Sequence, residues 1–265
     1  AFYLRHALGH SPSQIHEEGR AMVALEEHFR FLRELRAGDM MNMRSRVIEL
    51  REKTLVSYHE LLNSATGDIA ATCIAVSAHL DLEARKLIAW PQEAHEKAKA
   101  ITAPLPDHAK PRSVTREVRM PHITLAEAEA RDGAVMPWEC DDVGHMNSRF
   151  YMGRFSDGAG HLWQAVGMEK TRLQEDHRGT VVLEMRLNYL NDVRSGMMLV
   201  VKSTLTRMEN KTLTFVHYMF DAETGMPVAT GEAVAVMLDL EARRTVNFTD
   251  EDRTKIVPHV RALEA

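Results

Sequence analysis

One hexapeptide occurs twice in this chain, first as Leu80-Asp81-Leu82-Glu83-Ala84-Arg85 and again as Leu238-Asp239-Leu240-Glu241-Ala242-Arg243. The two copies are 158 residues apart, and the same offset relates Lys53-Thr54-Leu55 to Lys211-Thr212-Leu213. It also relates His59 to His217 without a gap. Because the sequence is not of low complexity, we infer an internal duplication rather than chance matching.

Each copy contains four segments typical of β-strands, rich in Val, Leu, Thr, Phe and Tyr and separated by turn residues. In the second copy the predicted strands are Thr180–Leu190, Met197–Arg207, Lys211–Asp221 and Met226–Leu240. In the first copy they are Ala21–Leu32, Asp39–Ile48, Lys53–Asn63 and Asp68–Leu82. A short helix is expected after each set, near Pro91–Ala100 and near Thr249–Ile256.

A longer helix is predicted over Asn147–Val166, because apolar residues recur there at helical spacing and Asn147 or Ser148 can cap it. A short strand is predicted before this helix, at Ala134–Trp138. Four prolines mark a long connection between the copies, in which Thr124–Arg131 could form one short helix. The predicted organisation is a first repeat over residues 1–100, a linker over 101–133 and a second repeat over 134–265.

The composition is that of an ordinary globular protein. The 265 residues are 45% hydrophobic and 27% charged, with a net charge of -5 and mixed signs along the chain, which argues against a nucleic-acid-binding protein. No apolar run approaches the ~20 residues of a membrane span, and the start shows no signal peptide. The two cysteines cannot form a disulfide framework, so we expect a cytoplasmic protein without a membrane partner.

Chemistry-bearing side chains are densest in Trp138-Glu139-Cys140-Asp141-Asp142-Val143-Gly144-His145-Met146-Asn147-Ser148-Arg149-Phe150-Tyr151. A loop between a strand and a helix can direct a carboxylate at a group bound over the helix N-terminus. That terminus offers unpaired N–H groups and the positive end of the helix dipole. Such an arrangement suits acyl transfer, in which one group attacks or activates water and the donors hold the oxyanion.

Other catalytic templates are absent from the sequence. It contains no G-x-S-x-G elbow, no phosphate-binding G-x-x-x-x-G-K-[ST] loop, no complete G-x-G-x-x-G and no H-E-x-x-H. His6, His10 and His16 are loosely spaced and are read as a surface helix rather than a metal site. No metal is therefore invoked.

The pattern Asp141-x-x-Gly144-His145-Met146-Asn147-x-x-x-Tyr151 resembles the motif of hotdog-fold acyl-CoA thioesterases of the 4-hydroxybenzoyl-CoA thioesterase type. The resemblance extends over Ala134–Leu240 and, through the repeat, over Ala21–Arg85. It implies an α+β double hotdog, in which two antiparallel sheets each wrap a central helix and join as an intramolecular pseudo-dimer. This chain departs from the family motif at Ser148, where the family has a second Asn.

The resemblance also implies roles for individual residues. Asp141 would act as nucleophile or general base, and a backbone N–H of Asn147 or Ser148 would polarise the thioester carbonyl. His145 and the Asn147 side chain would position substrate or water. Gly144, Ser148 and Tyr151 are expected to contact substrate.

Structural interpretations of these and neighbouring residues remain open at this point. Asp141 could be a turn residue, His145 a packing histidine and Asn147 a plain N-cap. Further interpretations concern other residues. Glu139 could be structural, Asp142 a solvated acid and Cys140 a buried inert thiol. His59 and His217, which the repeat relates, could share a role in the sheets.

The expected function is hydrolysis of an acyl-CoA thioester, with CoA entering as part of the substrate and no separate cofactor. A hotdog enoyl-CoA hydratase and a non-catalytic acyl-CoA-binding protein are the alternatives, and further association into a homo-oligomer of pseudo-dimers is compatible with either. The offset projects Asp141 to a position before residue 1. We therefore expect one working site per chain, with an acyl pocket partly lined by the first repeat.

Overall fold

The computed structural model describes residues 2–9, 17–114 and 128–261, and the chain separates into two units between Arg112 and Ser113. Prolines and polar residues fill the sequence around this division, whereas the segments on either side carry the strand patterns. Each unit contains an antiparallel sheet and a few helices.

The first unit begins with a short helix, α1 (Phe2–Ala7), and ends with a second, α2 (Gln92–Ile101). Between them lie β1 (Arg20–Phe31), β2 (Met41–Leu50), β3 (Thr54–Asn63), β4 (Ile69–Asp81) and β5 (Lys86–Leu87). The strand order is β2-β3-β4-β1, and β5 pairs with β4. Both helices contribute to one apolar core, composed of Leu4, Leu8, Val47, Leu55, Trp90, Ala94 and Ala98.

The second unit begins with β6 (Ala128–Ala134), followed by α3 (Ser148–Ala165) and α4 (Lys170–Glu175). Its remaining elements are β7 (Arg178–Tyr189), β8 (Met198–Met208), β9 (Thr212–Asp221), β10 (Pro227–Asp239), β11 (Arg244–Thr245) and α5 (Asp250–Ile256). The strand order is β7-β10-β9-β8-β6, and β11 pairs with β10.

The structure confirms the predicted strands of both copies to within a few residues. At the offset of 158, β1 coincides with β7, β3 with β9, β4 with β10 and β5 with β11, end for end. The irregularities coincide as well, because the pairing skips Leu25 in β1 and Leu183 in β7. A bulge bends its strand and fixes the register, so the two copies share local twist as well as strand order.

The repeated hexapeptide forms the turn between β4 and β5 and between β10 and β11. The Asp81 carboxylate accepts hydrogen bonds from the N–H groups of Glu83 and Ala84, at 3.0 and 2.8 Å. Asp239 accepts from Glu241 and Ala242 at the same distances. Each turn closes on an arginine with positive φ, 51° at Arg85 and 53° at Arg243, so the identical letters encode identical geometry.

Helix α3 lies against the sheet of the second unit. Its buried face includes Phe155, whose ring stacks on His217 of β9 at a centroid distance of 5.3 Å. Gly158 allows the close approach, because a Cβ there would lie 2.8 Å from Val201 of β8. The glycine that weakens the helix in isolation is thus explained by packing.

On the sheet face opposite to His59 and His217, the side chains differ between the two units. On β3, Tyr58 donates a hydrogen bond to the buried carboxylate of Glu60 at 2.9 Å, and the ring of His108 lies 3.0 Å from the same hydroxyl. At the equivalent positions of β9 the second unit has Val216 and Tyr218. These belong to an apolar cluster with Val200 and Phe220.

The entry into the second unit differs from the prediction. The strand expected at Ala134–Trp138 is observed at Ala128–Ala134, and Pro137–Glu139 forms a 3-10 turn. Residues 128–131 of the helix expected at Thr124–Arg131 are therefore extended, while 124–127 lie outside the described residues. Ala, Glu and Arg favour helices locally, but pairing with the edge of β8 supplies this segment with backbone hydrogen bonds.

Candidate functional site

The loop from Asp141 to Met146, here called the Asp141 loop, is held by hydrogen bonds of the aspartate itself. One carboxylate oxygen, Oδ1, accepts hydrogen bonds from the N–H groups of Val143 at 3.0 Å and His145 at 3.2 Å. The Asp141 N–H donates to the His145 carbonyl at 2.8 Å, and Gly144 takes a positive φ of 80°. Among the described residues no donor binds Oδ2, so the half-buried carboxylate keeps one oxygen for other contacts.

His145 faces a second carboxylate. Its Nε2 lies 3.4 Å from Oδ2 of Asp192, which follows the end of β7. The backbone fixes this juxtaposition, because the Met146 N–H donates to the Val193 carbonyl at 2.7 Å and His145 forms a β-bridge with Arg194. His145 is therefore held by both its backbone and its ring.

Asn147 is the N-cap of α3. Its side-chain oxygen accepts a hydrogen bond from the Arg149 N–H at 3.2 Å, as the sequence predicted for this position. The Asn147 N–H donates to the Glu139 carbonyl at 2.8 Å. Ser148 is the first helical residue, and the loop carrying Asp141 leads directly into this helix start.

Tyr151 lies one turn further along α3. It is buried, and its ring packs edge-on against Tyr189 at a centroid distance of 4.9 Å. Burial raises the pKa of the Tyr151 phenol, and the nearby negative charge of Asp192 raises it further. The phenol is therefore neutral and can serve as a hydrogen-bond donor.

Glu139 is an anchor, as its structural interpretation predicted. Its carboxylate accepts from the Met136 N–H at 2.7 Å and pairs with Nη2 of Arg154 at 3.0 and 3.1 Å. Both side chains of this ion pair are largely buried. The pair ties the Pro137–Glu139 turn to α3, and Trp138 projects from that turn with 69% of its surface exposed.

Cys140 corrects one expectation. The sequence placed it as a buried inert thiol, whereas it is half-buried, with Sγ 3.9 Å from the Met136 carbonyl oxygen. The strand on which that orientation was predicted ends at Ala134, so strand alternation does not govern the direction of its side chain.

The two repeat-related histidines share a structural role, as predicted. Nδ1 of His217 lies 2.6 Å from the Ser203 hydroxyl, and Nδ1 of His59 lies 2.7 Å from the hydroxyl of Ser45. The two serines are themselves related by the offset of 158. Neither histidine belongs to the Asp141 loop.

The structure thus brings Asp141, Gly144 and His145 together on one loop, and Asn147, Ser148 and Tyr151 on the first turn of the following helix. Sequence reasoning missed two contributors, Asp192 and Arg154. The sequence contains a signal for Arg154, because a charged residue falls on the otherwise apolar face of α3. It contains no signal for Asp192, since acidic residues commonly follow strands.

Within residues 2–9, 17–114 and 128–261, no group of three or more His, Cys, Asp or Glu side chains could hold a metal ion. No helix in this part of the chain is long and apolar enough to cross a bilayer.

Comparison with known families gives matches to both repeats. The model of the Thioesterase-like superfamily matches residues 2–98 and again residues 135–257, which together exceed half of the chain. The chain belongs to the Thioesterase-like superfamily. The second match contains the whole Asp141 loop and α3, and the prediction of a thioesterase is confirmed.

Individual relatives of this superfamily are distant. A betainyl-CoA thioesterase of Pseudomonas aeruginosa is 26% identical over 117 residues, which are 44% of this chain and 74% of that protein. An acyl-acyl carrier protein thioesterase of Arabidopsis thaliana is 24% identical over 131 residues, 49% of this chain and 68% of that one.

A solved structure resembles most of the chain in fold. The 12:0-ACP thioesterase from Umbellularia californica superposes on it with a TM-score of 0.67 at 13% identity. The match covers 84% of this chain and 75% of that one. The fold is thus that of the hotdog thioesterases, as predicted.

Proposed function

We propose that this member of the superfamily hydrolyses an acyl-CoA thioester to a carboxylic acid and CoA. The observation that carries the proposal is the Asp141 loop, which holds a half-buried carboxylate immediately before the N-terminus of α3. The CoA thioester is proposed as substrate because the Pseudomonas aeruginosa relative is named a betainyl-CoA thioesterase.

Asp141 is the proposed catalytic carboxylate. As a general base it removes a proton from water, whose oxygen bonds to the thioester carbonyl carbon. As a nucleophile its own oxygen forms that bond, and water later cleaves the resulting anhydride. In both routes the carbon–sulfur bond breaks, and the thiolate leaves and takes up a proton.

The first turn of α3 is the proposed oxyanion site. Backbone N–H groups at a helix start carry partial positive charge, which stabilises an oxygen that becomes negative in the transition state. Of the two N–H groups expected to act here, those of Asn147 and Ser148, we assign this role to that of Ser148, the first helical residue. Because a backbone N–H is used, the replacement of the family's second Asn by Ser148 leaves this role intact.

The remaining assignments concern binding and orientation. His145 and the Asn147 side chain orient substrate or water. Gly144, Ser148 and Tyr151 contact the substrate, with the neutral Tyr151 phenol as donor. Gly144 suits this place because its positive φ is available to glycine without strain, and no side chain then obstructs the loop.

We also propose that the two units form a double hotdog joined as an intramolecular pseudo-dimer. The four strands that the units share support this arrangement, since they have the same order and β1 and β7 occupy the same edge position within their own sheets. A sheet edge presents unpaired backbone groups, and pairing one repeat with the other would cover both edges. Cross-linking of cysteines introduced on β1 and β7 would test the pairing, and failure at every register would contradict it.

Thiol release from a panel of acyl-CoA and acyl-carrier thioesters tests the function directly. We expect turnover by the wild-type protein and a loss of about 10²–10⁴-fold in Asp141→Asn, which keeps the size and removes the charge. Asp142→Asn is the matched control, because it removes an exposed charge from the same loop.

Three outcomes would contradict parts of this proposal. Near-normal turnover in Asp141→Asn would remove the aspartate from the mechanism. Hydration of an enoyl-CoA without thiol release would indicate the alternative hydratase. Tight binding of acyl-CoA without either reaction would indicate a binding protein.

A further inference from the structure

We infer that Asp192 is a positioning residue that acts on the reaction through His145. The inference rests on the proposed thioester hydrolysis and adds a residue that lies outside the Asp141 motif. Its basis is the contact between the two side chains, whose Nε2 and Oδ2 atoms are 3.4 Å apart.

The carboxylate selects one form of the imidazole. A negative oxygen facing Nε2 favours a proton on that nitrogen, so neutral His145 has its lone pair on Nδ1. Among the described residues no donor binds Nδ1. The ring is thereby prepared to accept a hydrogen bond from a water molecule, which Asp141 on the same loop can then deprotonate.

The pair is fixed rather than a chance surface contact. The side chains of His145 and Asp192 are only 16% and 31% exposed. The Met146–Val193 hydrogen bond and the His145–Arg194 bridge join the two backbone segments at the same place. A carboxylate held by such a frame can set the orientation of the ring.

Three other ionisable groups surround His145. Nε of Arg194 lies 3.2 Å from Oδ2 of Asp192 and offsets part of its charge. Oδ1 of Asp141 binds the His145 N–H, which adds a second negative charge on the loop. Tyr151, buried nearby, stays neutral. The balance of formal charge around the ring is therefore negative.

Asp192→Asn provides the first test, because it removes the charge and keeps the shape. We expect kcat to fall about ten- to a hundredfold, as for a misplaced catalytic group. The loss should appear in kcat rather than in KM, because Asp192 acts through the ring and does not contact the substrate.

A double variant separates positioning from a role independent of His145. If Asp192 acts through the ring, Asp192→Asn combined with His145→Ala should be no slower than His145→Ala alone. Asp192→Glu should restore part of the turnover, and Asp142→Asn should leave kcat unchanged. Multiplicative losses in the double variant would overturn the inference.

The ring nitrogen chemical shifts of His145, measured by NMR, keep the inference testable apart from the proposed function. If the wild-type protein hydrolyses no thioester, the proposed function fails, but the coupling can still be measured. We expect neutral His145 to carry its proton on Nε2 in wild type, and a larger population with the proton on Nδ1 in Asp192→Asn. An unchanged tautomer population in a folded variant would overturn the inference whatever the activity.

Discussion

The Ser203 hydroxyl lies 2.6 Å from Nδ1 of His217 in the interior of the second unit, where both residues are 1% exposed. The histidine is also enclosed by two rings, Phe155 stacked on it and Phe215 edge-on to it. The duplicated pair Ser45–His59 repeats the contact at 2.7 Å in the first unit. A buried imidazole that must remain neutral makes stability depend on pH.

Acid should weaken the fold through these histidines. Burial lowers the pKa of His217 to about 3 and that of His59 to about 4, below the ordinary value of about 6.5 in an unfolded chain. Below pH ~6.5 the unfolded state therefore binds more protons than the folded state. For these two groups the free energy of unfolding is highest above that pH and decreases as pH falls. Each histidine should contribute a slope of about 1.4 kcal/mol per pH unit between roughly pH 6 and 4.5.

Urea unfolding across that pH range measures the slope. His217→Asn retains a polar atom near Nδ1 and cannot be protonated, so the variant should lose the slope of one site, whatever its stability at neutral pH. An unchanged slope would contradict the burial of a neutral His217 as a source of the pH dependence.

Gly158→Ala should destabilise the second unit by about 1–3 kcal/mol, because the new methyl group overpacks the contact between α3 and β8. Gly160→Ala is the control on the same helix. Apart from its chain neighbours and the helix's own backbone, no described atom lies within 4 Å of its added Cβ, so the substitution should stabilise by up to about 1 kcal/mol through helix propensity. Thermal or urea unfolding of the two variants should give opposite signs.

Arg154→Met should cost about 3–5 kcal/mol, because it leaves the largely buried Glu139 carboxylate without its cation. Adding Glu139→Gln should recover part of this loss, since the neutral amide can still accept from the Met136 N–H. Equal losses in the single and double variants, measured by urea unfolding, would show that the ion pair itself is not the origin.

Asn147→Ala should cost about 1 kcal/mol of stability through the lost N-cap, whereas Asn147→Ser should keep most of it. Turnover separates capping from catalysis. If the amide also orients substrate or water, Asn147→Ser should be stable yet slower than wild type. Full activity in the serine variant would restrict Asn147 to the cap.

The sequence predicted the strands because the same pattern occurs twice, and each copy checks the other. Leu55 and Leu213, both fully buried, fall on the same face of β3 and β9. The duplicated turn at Asp81 and Asp239 indicated where β4 and β10 end. Hydrophobic periodicity also placed α3, since its buried residues recur at helical spacing.

Other features depended on contacts between distant segments. The residues of β6 favour a helix locally, and only the neighbouring edge of β8 makes them extended. Asp192 reaches His145 because the chain turns back after β7, which no spacing within the motif encodes. Sequence reasoning thus recovered the loop that carries Asp141 but not the segment that frames it.

The exposed indole of Trp138 gives the candidate site an optical reporter. Of the three tryptophans, Trp90 is buried and Trp163 half-buried, so solvent-relaxed emission and collisional quenching come mainly from Trp138. Its turn is pinned to α3 through Glu139 and Arg154, which keeps the fluorophore three residues from Asp141. A blue shift of this emission on addition of an acyl-CoA would show, in the unlabelled protein, that the ligand displaces water from the ring.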